Sequence, residues 1–136
     1  QSSSQNAYST VTWQTSVFDV GSDFDMSNNR FVAPNAGTYY FRFQIATSFV
    51  FQNIEELAAI SGTNSSGGGA FTVAFRQDEP INPSSARGRA QGWYMDLLGL
   101  VVLAVGDRIT CHFRSEGDTK TITSGNGTLF EGYQLI

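Results

Sequence analysis

From Trp13 to Phe43 the aromatic residues stand at fixed intervals, and no other feature limits the fold as tightly. Five residues separate Trp13 from Asp19, four separate Asp19 from Phe24, six separate Phe24 from Phe31, and five separate Phe31 from Gly37. Tyr39, Phe41 and Phe43 then occupy every second position. A period of two puts Tyr39, Phe41, Phe43 and Ile45 on one face of a β-strand, with Tyr40, Arg42 and Gln44 on the other. Pro34-Asn35-Ala36-Gly37 predicts a tight turn feeding that strand.

The 136 residues fit one domain. Residues 1–7 are polar and read as a loose tail, leaving 8–136 as the domain. A chain this long buries roughly two-thirds of its extended surface on folding, enough for a core without metal or disulfide staples. Charged residues make up only 15%, against ~25% in an average soluble domain, while aromatics reach 13%. Few charges and many aromatics predict a chain that also buries surface between subunits.

The net charge of −4 argues against a nucleic-acid partner, which needs a basic face. No lysine- or arginine-rich run is present to hold an acidic membrane surface. The longest apolar run, Leu97 to Val105, has nine residues. A helix inserted across a bilayer needs about 20. Cys111 is the only cysteine, which rules out an intrachain disulfide. Ile109, Cys111 and Phe113 alternate with Thr110, His112 and Arg114, so the thiol is expected to be an inert part of the core. The residues from Gln1 onward do not read as a secretory leader.

Strands are expected near Thr10–Trp13, Val17–Val20, Phe31–Ala33, Thr38–Thr47, Phe71–Arg76, Trp93–Val105 (in one or two pieces), Asp107–Arg114, Thr119–Thr123 and Leu129–Ile136. Turn chemistry separates them at Ser27-Asn28-Asn29, Ser61 to Gly69, Asn82 to Gly92, Gly106-Asp107 and Ser124 to Gly127. Asn53 to Ile60 reads as a short helix, and a stretch within Ser48–Ile60 reads equally as another strand. Many short strands with Gly-rich turns predict an all-β sandwich or barrel.

Leu97 to Val105 breaks the alternation. Leu98, Leu100, Val102 and Ala104 would form one face, and Leu97, Val101, Leu103 and Val105 most of the other. A strand apolar on both faces is buried on both sides. In a two-sheet sandwich, a neighbouring subunit is the expected cover. The alternative is a central strand covered by a loop of its own chain.

The interval pattern resembles the signature of the C1q-like globular head. That family reads Phe, Asn or Asp, an aromatic or Leu, Phe, then Gly-x-Tyr-x-Phe-x-aromatic, at the spacing seen here. Trp13 stands where the family has Phe. Gly106-Asp107-Arg108-Ile109 is similar to the family's Gly-Asp turn after an apolar strand. Thr128-Leu129-Phe130-Glu131-Gly132-Tyr133-Gln134-Leu135 resembles its closing strand. The structural positions carried by the resemblance are thus Trp13, Asp19, Phe24, Phe31, Gly37, Tyr39, Phe41, Phe43, Gly106, Asp107, Phe130 and Gly132. It implies a jelly roll of about ten strands, of the kind shared with tumour-necrosis-factor-like cytokines, assembled as a homotrimer. It also implies a secreted, extracellular recognition module of innate immunity that binds carbohydrate or microbial surfaces. A cytokine- or hormone-like ligand for a protein receptor, and a structural trimerising head, are the alternatives.

No catalytic constellation is evident. His112 is the only histidine, and no nucleophile elbow, phosphate-binding loop or zinc-spaced cysteine set accompanies it. Adjacent Glu55 and Glu56 do not converge on one substrate. An enzyme is not expected, and no cofactor is, calcium excepted. Calcium favours clustered oxygen ligands on loops, and Asp78, Glu79, Glu116 and Asp118 are candidates, with ordinary solvated turn carboxylates as the alternative. Arg87, Arg89, Trp93 and Tyr94 combine cationic donors with aromatic rings suited to acidic sugars. The alternative puts Trp93 in the core and leaves the arginines solvating a loop. Arg114 and Lys120 form a second such pair. Asn64-Ser65-Ser66 and Asn126-Gly127-Thr128 are glycosylation sequons in turn-rich loops, whereas Asn82-Pro83-Ser84 is excluded by its proline.

Overall fold

The computed structural model describes residues 8–14, 19, 21–47, 55–78, 93–116, 122 and 127–135, excepting the side chains at 55, 78, 93, 94 and 116. All regular structure within them is β-strand: β1 (Ser9–Thr10), β2 (Phe24–Asp25), β3 (Arg30–Val32), β4 (Gly37–Thr47), β5 (Glu55–Thr63), β6 (Ala70–Asp78), β7 (Trp93–Leu103), β8 (Arg108–Glu116) and β9 (Leu129–Gln134). They form two antiparallel sheets. One runs β2-β3-β8-β5-β6, with β1 also on β8; the other runs β7-β4-β9. β1 and β3 share one edge of β8, pairing Ser9 with Phe113 and Phe31 with Ile109. The chain changes sheet between β3 and β4, β4 and β5, β6 and β7, β7 and β8, and β8 and β9. It stays in one sheet at the β2–β3 and β5–β6 hairpins.

The alternation read from β4 is what orients its sheet. Tyr39, Phe41, Phe43 and Ile45 are buried, while Tyr40, Arg42 and Gln44 are half-buried on the outer face. Across the core, Ala58 and Ile60 of β5 and Ile109, Cys111 and Phe113 of β8 face them in one apolar cluster. Each large side chain moved fully from water contributes about 1.5–3 kcal/mol. The Cys111 thiol is fully enclosed there, and burial pushes its pKa well up, as expected of an inert core thiol.

Three expectations are corrected or narrowed. Glu55 to Ile60 is strand, the second of its two readings, and not helix. Its Glu-Glu-Leu-Ala-Ala run favours a helix in isolation, but β5 is hydrogen-bonded along both edges, to β6 and to β8, and tertiary pairing overrides propensity. β5 also continues through Thr63, which shortens the predicted Ser61–Gly69 loop to Asn64–Gly69. Trp93–Val105 is a single strand that stops at Leu103, because the chain turns at Gly106 with φ of +82°. Val105 therefore stands exposed in the turn and not on the buried face. The predicted strands Val17–Val20 and Thr119–Thr123 lie outside the described residues, save Asp19 and Ile122, and Ile122 bridges to Thr47.

Candidate functional site

The aromatic residues of the interval pattern converge on one cluster. Trp13 lies edge-on to Phe43 at 6.1 Å and stacks on Phe130 at 6.1 Å. Phe41 stacks on Phe130 at 5.6 Å and meets Phe31 edge-on at 5.2 Å. Phe24 reaches Phe130, and Tyr39 reaches Phe31. The polar and glycine positions serve this cluster. The Asp19 carboxylate accepts the Asp23 and Phe24 N–H groups at 3.0 and 3.1 Å, which shapes the approach to β2. The Tyr39 hydroxyl donates to the Asn35 carbonyl at 2.8 Å and closes the turn ahead of β4. A side chain at Gly132 would strike the Phe41 ring and the Tyr40 carbonyl. Asp107 is buried and its carboxylate accepts the Ser65 and Ala104 N–H groups at 2.8 and 2.9 Å, tying two loops together. These bonds hold its pKa below the usual carboxylate range. Trp13, Phe24 and Phe130 also line an open cleft of about 1000 Å³ beside β9, rimmed by Asp19, Asp23 and Glu131.

Among the described residues an exposed apolar surface lies on the outer face of β7-β4-β9. Register sets its rows. Val102 lies beside Thr38, with Leu135 following β9. Leu100, Tyr40 and Tyr133 make the next row, then Leu98, Arg42 and Glu131, then Asp96, Gln44 and Leu129. Leu98, Leu100 and Val102 are 60%, 64% and 75% exposed, and Tyr133 is 58% exposed. On the same strand Leu97 and Leu103 are buried in the core. Both apolar faces anticipated for Leu97–Val105 are therefore present, and among the described residues nothing covers the outer one. Among the described residues β7 pairs along one edge only, with β4. Contiguous exposed apolar surface of this kind marks an interaction site.

One polar group crosses this face. Arg42 donates from Nε and Nη2 to the two Asp96 oxygens at 2.9 and 2.8 Å, from Nη1 to Glu131 at 3.4 Å, and from Nη2 to Gln44 at 2.9 Å. The bidentate pairing lowers the Asp96 pKa and raises that of Arg42 further. Tyr40 and Tyr133 pack ring to ring at 5.1 Å beside it. The Arg42–Asp96, Arg42–Glu131 and Tyr40–Tyr133 contacts were not legible in the sequence, because they join residues 54 to 93 apart only once the register is known.

The opposite sheet carries His112 on its outer side, with Thr10 Oγ1 at 3.5 Å from Nδ1 and Thr110 Oγ1 at 2.8 Å from Nε2. Burial lowers its pKa. The unfolded chain then binds the proton more readily than the native one. Stability is expected to fall as pH drops through about 6.5 toward the depressed native value, and to level off below it. Urea titrations between pH 8 and pH 5 check this. His112→Gln should flatten that limb, and an unchanged slope would remove the histidine from it.

Several predicted site residues lie outside the described set: Arg87, Arg89, Glu79, Asp118, Lys120 and Asn126. Trp93 and Tyr94 are described only as backbone, paired with Thr47 and Ala46. Asp78 and Glu116 pair with Glu56 and Glu55 at one end of the larger sheet. Arg114 lies over the Tyr8 ring at 5.5 Å, a contact internal to the sheet. Asn64 is exposed at the β5–β6 turn. No cluster of metal-ligating side chains occurs among the described residues. No family model and no curated protein matches the chain.

Proposed function

We propose that the chain is a secreted, homotrimeric C1q-like recognition module that binds carbohydrate or microbial-surface ligands. The observation that carries this reading is the uncovered apolar face of β7-β4-β9, which a second and third copy would bury. The strand order supports a jelly roll, since repeated crossing between two antiparallel sheets is how such rolls are wound. Among the described residues β9 pairs along one edge only, where a further strand would complete the smaller sheet. The convergence of the spaced aromatics on one cluster gives a physical reason for the spacing the resemblance rests on. In such an assembly weak loop sites are repeated by symmetry, and avidity raises binding without new contacts.

The test has two arms. Light scattering at micromolar concentration should give three times the 14.8 kDa chain mass. The trimer should then bind selectively and saturably to members of a panel of glycans and microbial polymers, read with calcium and with chelator. A single-chain mass would overturn the assembly. A trimer that binds no member in either condition would overturn the recognition role and leave the receptor-ligand alternative.

A further inference from the structure

We propose that Asn64 is an acceptor for an N-linked glycan, and that the hairpin it occupies is built to present it. β5 ends at Thr63 and β6 begins at Ala70, so Asn64 opens the connecting loop. Its carbonyl accepts the Gly67 N–H at 3.2 Å, which folds Ser65 and Ser66 into a turn. Asn64, Ser65 and Ser66 are all exposed.

Among the described residues the loop is tied to the rest of the fold through Ser65. Ser65 gives its N–H to the buried Asp107, and a side chain at Gly106 would touch the Ser65 Cβ at 3.2 Å. The Asn64 amide and the Ser66 hydroxyl make no hydrogen bond among the described residues. A Cβ built on Gly68 would lie 3.6 Å from Ser66 Oγ and 3.7 Å from Asn64 Nδ2, so both groups flank one point of the turn. A Cβ on Gly67 or Gly69 would meet nothing within 4 Å, which leaves the space around the loop clear. The second sequon differs. Its Thr128 hydroxyl accepts the Ala46 N–H at 3.1 Å and is occupied by the sheet.

The chemistry needs a lipid-pyrophosphate-linked oligosaccharide as donor. The Asn64 Nδ2 forms a bond to the anomeric carbon, the bond from that carbon to the pyrophosphate oxygen breaks, and Nδ2 releases one proton. The hydroxyl two residues on is the element the transferring enzyme reads. The hairpin belongs to the larger sheet, so a glycan there leaves the apolar face of the smaller sheet open for assembly.

That the natural chain meets such a donor rests on the secreted reading above. The experiment therefore supplies the route. The full chain is secreted from a eukaryotic host behind a foreign leader, with a tag carrying an established sequon as reporter. Glycosidase release in heavy-oxygen water should convert Asn64 to labelled aspartate in the peptide map. Asn64→Gln and Ser66→Ala should lose that label, while Ser66→Thr keeps it. The Asn64→Gln chain should retain the parent melting temperature, since the side chain is exposed. A glycosylated tag on a chain whose Asn64 peptide is unlabelled would overturn the proposal. So would a label that survives Ser66→Ala. Detection of the natural protein inside its source cells alone would count against secretion, and would leave the acceptor result standing.

Discussion

If the proposed trimer forms through the outer face of β7-β4-β9, Leu100→Arg is expected to give single chains at concentrations where the parent protein assembles. Leu100 is 64% exposed and points away from the core, so the substitution should leave the fold intact. In the assembly it removes about 1.5–3 kcal/mol of apolar burial. It also asks the interface to enclose a guanidinium with no acid to meet it, because Asp96 and Glu131 already serve Arg42. The burial loss alone weakens each contact by roughly ten- to a hundredfold, at ~1.4 kcal/mol per decade. Sedimentation velocity reads the change directly, with circular dichroism unchanged. Leu103→Arg is the contrast. Leu103 is buried on the inner face of the same strand, and a charge there should unfold the chain outright. If Leu100→Arg still assembles with the parent's affinity, the outer face of β7-β4-β9 is not the interface.

Phe41→Ala should be the most damaging simple truncation in the core. The ring is fully buried, and Phe31, Tyr39 and Phe130 lie against it at 5.2, 6.1 and 5.6 Å. It also joins two pairings, since Phe41 lies opposite Gly99 on β7 and Gly132 on β9. Emptying such a site costs about 3–5 kcal/mol. A domain of this size has about 5–15 kcal/mol in all, so the variant should be marginal or unfolded at ambient temperature. The urea midpoint should fall steeply while the slope is retained. A loss below about 1 kcal/mol would mean that the cluster relaxes around the cavity and is not the organising part of the core.

Most of the smaller sheet was legible in the sequence, because it obeys simple rules. β4 alternates cleanly, and its two-residue period fixes which side is core. β7 announced its two apolar faces because Leu97 through Leu103 shows no polar alternation. The less legible parts share a physical cause. Glu55 to Ile60 has a helix former's composition, and only the edges of β6 and β8 make it strand. β2 has two residues and depends on Asp25, whose carboxylate binds Ser27 and Asn28 and is thereby held at about 2. The Asp107–Ser65 bond that joins two loops spans 42 residues. No local pattern encodes such a pairing. The site was half visible for the same reason. Leu98, Leu100 and Val102 could be suspected from hydropathy, but the Arg42 ion pairs and the Tyr40–Tyr133 contact need a register between three strands.

The ion pair on that face has a consequence for kinship between chains. Arg42 is answered by two acids of its own protomer, so it places no demand on a neighbour. Specificity in assemblies comes from features that penalise the wrong partner, such as unmatched charge. Among the described residues this face carries one arginine and two acids, so each protomer brings only one net negative charge to it and the penalty of that kind is small. It would select chiefly by shape and apolar area. A sister chain with a similar stripe would be admitted almost as readily as an identical one. Such a family would form mixed assemblies, with each composition presenting a different set of loops from the same scaffold.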